Sequence, residues 1–232
     1  KDQPREPCKR LFTPGRPRDH TCVRRPLFLT EPVYLYFKSK VKSCIPAEST
    51  LVTNGKKDKV KGFEVILEDT ILFPEGGGQP DDRGTINNID VLRITRKGAE
   101  AVNFVTTEIA ADTDVDMKVD WSRRFDHMQQ HTGQHLITAV AEQLFGCPTT
   151  SWCLGEKTSF IELDIPNMKE EDVVKLEETV NEKILAEIPV TPHVFEDKND
   201  PKLKEVNKTL LNNLKHIVTN GYMSHITCLH YK

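Results

Sequence analysis

The chain has 232 residues, 37% of them hydrophobic, with a formal net charge of -3. That is enough for one large domain or two small ones with a buried core. It gives no global drive toward nucleic acid, so a polyanionic partner would have to be met locally, by Lys56, Lys57, Lys59 and Lys61 or by Arg123 and Arg124, runs that are more often solvated faces.

Residues 1–32 are rich in Pro and Arg (Pro4, Pro7, Pro14, Pro17, Pro26; Arg5, Arg16, Arg18, Arg24, Arg25) without apolar periodicity, and read as a disordered or extended tail. From 33 to 121 the signals are β. Phe63, Val65 and Leu67 alternate with polar neighbours, and Ile71 and Phe73 continue the apolar pattern until Pro74 and Gly76-Gly77-Gly78 break it. Val115, Met117, Val119 and Trp121 repeat with a period of two, and Asn54-Gly55 and Lys97-Gly98 read as turns. Several short strands in series predict a small barrel or sandwich.

Near Ser122 the period changes to that of a helix. Phe125, Met128, Thr132, Leu136, Val140 and Leu144 recur at three- and four-residue steps, and Gly146 is the expected stop. A strand pair is expected around Trp152 to Ile165. Asn167 with Glu170 then resembles a capping box opening a second helix, through Val173, Leu176, Val180 and Ile184, that ends before Pro189.

Two motifs carry chemistry. His131-Thr-Gly-Gln-His135 places two imidazoles four residues apart on one helical face, able to converge on a Zn²⁺ ion. On spacing alone, packed or surface histidines are the commoner meaning of such a pair. A zinc peptidase is excluded, because the position after the first histidine is Thr132 and not the glutamate that serves as its base. The second motif, Phe73-Pro-Glu-Gly-Gly-Gly-Gln-Pro-Asp-Asp-Arg-Gly84, lacks the Gly-Lys-Ser/Thr of a phosphate loop. Its three successive glycines serve either a bare turn or a close approach by another group.

The six cysteines (Cys8, Cys22, Cys44, Cys147, Cys153, Cys228) have no regular spacing, which suggests reduced thiols in a cytoplasmic protein. No stretch approaches a membrane span, and no signal-peptide pattern is present. The first residue is Lys1 and not Met, as expected of a processed or partial product.

Taken together, Gly-Gly-Gly-Gln-Pro with Asp-Arg-Gly, and then Arg-Arg-Phe-Asp-His-Met-Gln-Gln-His-Thr-Gly-Gln-His-Leu some fifty residues later, resemble the editing module of alanyl-tRNA synthetases. Within that group the chain is most similar to the freestanding alanyl-tRNA editing proteins of the AlaX type. Thr149-Thr150-Ser151-Trp152 and Val180-Asn181-Glu182 share in the resemblance, which covers roughly residues 35–206. It implies an α+β fold. A β-barrel-like domain (33–121) would precede an α/β editing core (122–206) of the kind called the second additional domain of threonyl- and alanyl-tRNA synthetases, with a divergent tail at 207–232.

The implied activity is hydrolysis of mischarged tRNA(Ala), chiefly Ser-tRNA(Ala) and in some members Gly-tRNA(Ala), at a Zn²⁺ site. Carried over, His131 and His135 would be two metal ligands. Gln134 and Thr132 become candidates for the seryl hydroxyl, and Gln79, with Gly77 and Gly78, would border the pocket. His127 is expected to flank the site and not to ligate. The resemblance implies no membrane association, and no stable protein partner can be named from it. The family completes its zinc site with a later Cys-x-x-x-His, a spacing this sequence does not contain; Cys228-Leu-His230 and His225-Ile-Thr-Cys228 are spaced differently. The sequence therefore also allows a truncated or mis-spliced form, catalytically incomplete, with residual tRNA or nucleotide binding. An editing domain separated from its ligase is a third reading.

Overall fold

A computed structural model of the chain describes residues 34–53, 56–155 and 158–187. The Pro/Arg-rich segment, the Asn54-Gly55 turn, and the tail with His225, Cys228 and His230 lie outside the described residues.

Among the described residues, nine strands and two helices follow one another. They are β1 (Tyr36–Thr53), β2 (Lys56–Leu67), β3 (Gly84–Ile86), β4 (Ile89–Val91), β5 (Arg93–Lys97), β6 (Glu100–Val105), β7 (Asp114–Val119), α1 (Trp121–Phe145), β8 (Thr149–Cys153), β9 (Phe160–Leu163) and α2 (Glu170–Leu185). The first seven strands form one antiparallel sheet in the order β4-β3-β7-β1-β2-β6-β5, and β8 and β9 form a separate pair.

Strand β1 is long because it serves two partners. Tyr36 to Lys40 pair with β7, and Val41 to Thr53 pair with β2, with a register shift between Val41 and Ser43. Such an irregularity bends a strand and turns it from one ladder to the next. Pro46, which has no N–H to donate, falls where β1 is paired on one side only.

Alternation decides which side chains face inward. In β7, Val115, Met117 and Val119 are buried while Asp114, Asp116 and Lys118 are exposed. These three join Val41, Val65, Leu67, Ile86, Val91 and Ile94 in one apolar core. Ile71, Leu72 and Phe73 belong to the same core, but from a loop and not from a strand as their pattern predicts. They are held there by side-chain hydrogen bonds that replace a ladder: Thr70 Oγ1 accepts from Leu72 N at 3.0 Å, and Asp82 Oδ2 accepts from Phe73 N at 2.7 Å.

The expected barrel is not present as a closed ladder. Strands β4 and β5 form the two edges of the sheet, and no pairing joins them. They are consecutive stretches of one run, separated only by Leu92, whose N–H donates to Phe104 O at 2.9 Å. They follow each other and so cannot lie side by side. The Lys97-Gly98 turn is as expected, with Gly98 at φ +62°.

Helix α1 begins one residue earlier than its period predicts. Asp120 caps it by accepting from Arg123 N at 3.3 Å, so Trp121, the last member of the β alternation, becomes its first helical residue. Gly146 closes it in the left-handed conformation, its N–H bonded to Glu142 O. Helix α2 starts after Lys169 with no side-chain cap, so the Asn167/Glu170 box is not formed. Its start is favoured instead by Glu170, Glu171 and Asp172 in the first turn, where acidic side chains suit the helix dipole. Leu136 and Val140 of α1 pack on Val180 and Ile184 of α2 in a second apolar cluster. No helix among the described residues is long and apolar enough to cross a membrane.

The sheet and α1 are tied together by a buried ion pair. Arg124 Nε donates to Asp82 Oδ1 at 2.8 Å, its Nη2 also bonds Asp82 Oδ2, and Nη2 donates to Ile71 O at 2.6 Å. Both residues are at most 2% exposed. Arg124 is thus withdrawn from any polyanion surface. Arg123 is partly occupied too, its Nε donating to Asp81 O at 3.2 Å. Removing one member of a buried pair leaves an uncompensated charge. Asp82→Ala is therefore expected to lower stability by about 3–5 kcal/mol, read from urea denaturation midpoints. Lys59→Ala, which breaks the exposed Lys59–Glu48 pair, should cost under about 1 kcal/mol.

Candidate metal and substrate site

The site forms where the glycine-rich loop, the middle of α1 and strand β8 meet. The loop is a tight hairpin. Gly76 and Gln79 exchange N–H···O bonds of 3.2 and 3.1 Å, and the two residues between them, Gly77 (φ +59°) and Gly78 (φ +80°), have the positive φ of a type I′ turn. This turn sends the Gln79 side chain inward, where it is 5% exposed.

Gln79 Oε1 lies 3.2 Å from His131 Nδ1. With Gln79 Oε1 as the acceptor, the His131 tautomer that satisfies this contact carries its proton on Nδ1 and has a bare lone pair on Nε2. That is the arrangement by which metal-binding histidines are oriented. His131 Nε2 in turn faces His135 Nε2 at 3.1 Å, and the two rings stack with centroids 4.8 Å apart. Two nitrogens bound to one tetrahedral Zn²⁺ at about 2.0–2.1 Å would stand roughly 3.4 Å apart. The pair therefore fits as half of a ligand set. Among the described residues no further His, Cys, Asp or Glu completes it to a group of three.

Burial, followed by the neighbouring His135, pushes the His131 pKa from 6.5 down to about 4. Burial also lowers that of His135. Both imidazoles are thus neutral near pH 7, the form that donates a lone pair to a metal. His127, one turn earlier, is buried, and its pKa is lowered by burial and then by Arg123; its Nδ1 has no hydrogen-bond partner. Among the described residues it does not form a group of three with the pair.

At about 100° per residue, Thr132 and Gln134 flank the histidine pair on opposite sides of α1, and both are buried. Gln134 Nε2 donates to Thr138 Oγ1 at 3.0 Å, and that hydroxyl lies 2.9 Å from Thr149 Oγ1 on β8. The other end of the amide, Gln134 Oε1, is a buried acceptor with no partner. A donor brought by a ligand would satisfy it. Gly77 has open space around it, whereas Gly78 lies under Trp152. Trp152 stacks on His131 at 5.3 Å.

The Thr138–Thr149 link and the Trp152 contact are not readable from spacing, because β8 reaches α1 only through the tertiary fold. The nearest sequence signal is Thr149-Thr150-Ser151-Trp152, which shares in the family resemblance without indicating a role.

The described cysteines, Cys44, Cys147 and Cys153, are free thiols. None stands with the histidine pair.

For metal-free protein the pH dependence follows from His131. Its folded pKa of about 4 lies below 6.5, so between those values the unfolded chain binds more protons and stability rises with pH. The contribution is complete above pH 6.5 and is lost as pH falls toward 4. Urea midpoints measured across this window should fall on acidification, and His131→Gln should flatten the slope; an equal slope in both proteins would contradict the assignment.

No protein-family model matches the sequence. Individual relatives do. The chain is 56% identical over 171 residues to a protein of Bos taurus named alanyl-tRNA editing protein Aarsd1, a match covering 73% of this chain and 38% of that protein. It is 54% identical over 170 residues to the protein of the same name from Danio rerio, 73% of this chain and 41% of that one. It is 32% identical over 167 residues to alanyl-tRNA editing protein AlaX-L of Pyrococcus horikoshii, 65% of this chain and 40% of that one. The matches thus span about two-fifths of the length of these curated relatives. Over the stretch it shares with them, the chain is similar to proteins named alanyl-tRNA editing proteins.

Proposed function

We propose that the chain is a trans-editing hydrolase that deacylates mischarged tRNA(Ala), Ser-tRNA(Ala) first and Gly-tRNA(Ala) second, in the cytoplasm. Relatives named alanyl-tRNA editing proteins support the substrate class. The observation that carries the site is the buried pair of neutral imidazoles, Nε2 to Nε2 at 3.1 Å, with the His131 tautomer fixed by Gln79.

In the net reaction water adds to the ester carbonyl, the bond from that carbon to the ribose oxygen breaks, and the free amino acid and the tRNA hydroxyl leave. An aminoacyl ester is already activated, so the protein mainly has to position the water and stabilise developing negative charge. His131 and His135 would hold Zn²⁺, which supplies Lewis-acid polarisation or orients the substrate when bound. Gln79 keeps a lone pair available on His131 Nε2. Gln134, turned by Thr138, presents its unpaired Oε1 as an acceptor for the seryl hydroxyl or the α-ammonium group. A site built to bond a hydroxyl rejects alanine because its acceptor would then stay unpaired. Burial keeps bulk water from that acceptor.

A second reading has one observation in its favour: no third ligand stands with the histidine pair among the described residues. It holds that the chain is a catalytically incomplete relative that retains tRNA or nucleotide contact without hydrolysis.

Incubation of the purified chain with serylated tRNA(Ala), with and without a chelator, separates the two. The hydrolase reading expects chelator-sensitive release of serine, reduced to the spontaneous rate in His131→Ala. Tight tRNA binding with no release by folded, zinc-supplied protein would establish the second reading instead.

A further inference from the structure

Trp152 does not figure in the chemistry above, yet it is built into the site from two sides. Its indole stacks on the His131 imidazole with centroids 5.3 Å apart and planes 28° apart, and it lies 6.4 Å from the His135 ring. Its six-membered ring also covers Gly78. A Cβ at that position would stand 2.0 Å from Cη2 and 2.6 Å from Cζ2, distances no side chain tolerates. Gly77, the other central residue of the turn, has positive φ but open space around it. Glycine is thus needed at 77 for the backbone alone, and at 78 for the backbone and the indole together.

The hydrogen bond from Nδ1 to Gln79 fixes one in-plane direction of the His131 ring but still permits the ring to tilt about it. A flat group against the ring face removes that freedom. We propose that Trp152 is a positioning residue for the metal pair: seated on Gly78, it clamps His131 so that Nε2 stays aimed at His135 Nε2. This rests on the metal assignment under Proposed function. It gives the third glycine of the loop a specific task.

The test is zinc affinity of the full chain by chelator competition, with folding checked by circular dichroism and thermal melting. Trp152→Ala and Gly78→Ala should each weaken zinc binding by about ten- to a hundredfold, the range for loss of a ligand-orienting partner. Trp152→Phe, which keeps a flat ring, should recover most of the affinity. The chain has two tryptophans, and the other, Trp121, packs on Phe125 at the start of α1. In a Trp121→Phe background zinc should therefore change the emission of Trp152. Folded Trp152→Ala binding zinc as tightly as the parent would overturn the proposal.

If the parent chain binds no zinc, the metal assignment fails, and the clamp is read without metal from the side-chain ¹⁵N relaxation of His131. The ring should be rigid in the parent and gain nanosecond motion in folded Trp152→Ala, with the tautomer set by Gln79 in both. Equal ring mobility in the two proteins would overturn the clamp.

Discussion

The buried pair of Asp82 and Arg124 is the constraint on which the site depends. Asp82 takes Arg124 from the first turn of α1 and Phe73 N from the loop, while the same guanidinium holds Ile71 O. One ion pair therefore fixes the entry and exit of the glycine-rich loop against the helix. Two helical turns separate Arg124 from His131, about 10.5 Å along the axis. Once the first turn is anchored, the position of His131 relative to Gln79 follows from helix geometry. Buried charges are expensive unless fully partnered. Here the cost is offset by bonds to both carboxylate oxygens and two backbone groups.

The same burial that makes this pair costly makes the histidines useful. Away from water, the pKa of His131 falls to about 4 and that of His135 is lowered as well, so both imidazoles favour the neutral form. Gln79 then decides which nitrogen is bare. The site is in this sense prepared before any ligand arrives: tautomer, ring plane and an unpaired amide oxygen are all set by neighbours that do not themselves react. Such preorganisation suits the proposed hydrolysis, whose substrate ester is already activated.

Much of this arrangement was legible in the sequence. Spacing alone placed His131 and His135 on one helical face, Gly146 at the helix end, and Val115, Met117 and Val119 inside the sheet. Family resemblance puts Gln79 at the border of the pocket, but its bond to His131, 52 residues away, is visible only in the fold. Other features were hidden because they are tertiary. Arg124 reads as half of a basic surface pair until Asp82 is seen beside it. Trp152 reads as a strand residue until Gly78 is found beneath it. Ile71 and Phe73 mimic a strand because burial demands apolar residues there whatever the backbone does. The open sheet escaped prediction for a different reason: alternation reports which face is buried and says nothing of whether the last strand pairs with the first.

The account turns on whether the two imidazoles bind one metal together, and zinc-edge X-ray absorption of the purified, zinc-supplied chain measures this directly. It predicts two imidazole ligands at about 2.0–2.1 Å, with one lost in His131→Ala and one lost in His135→Ala. A spectrum with no histidine ligands, or one unchanged in either variant, would contradict it.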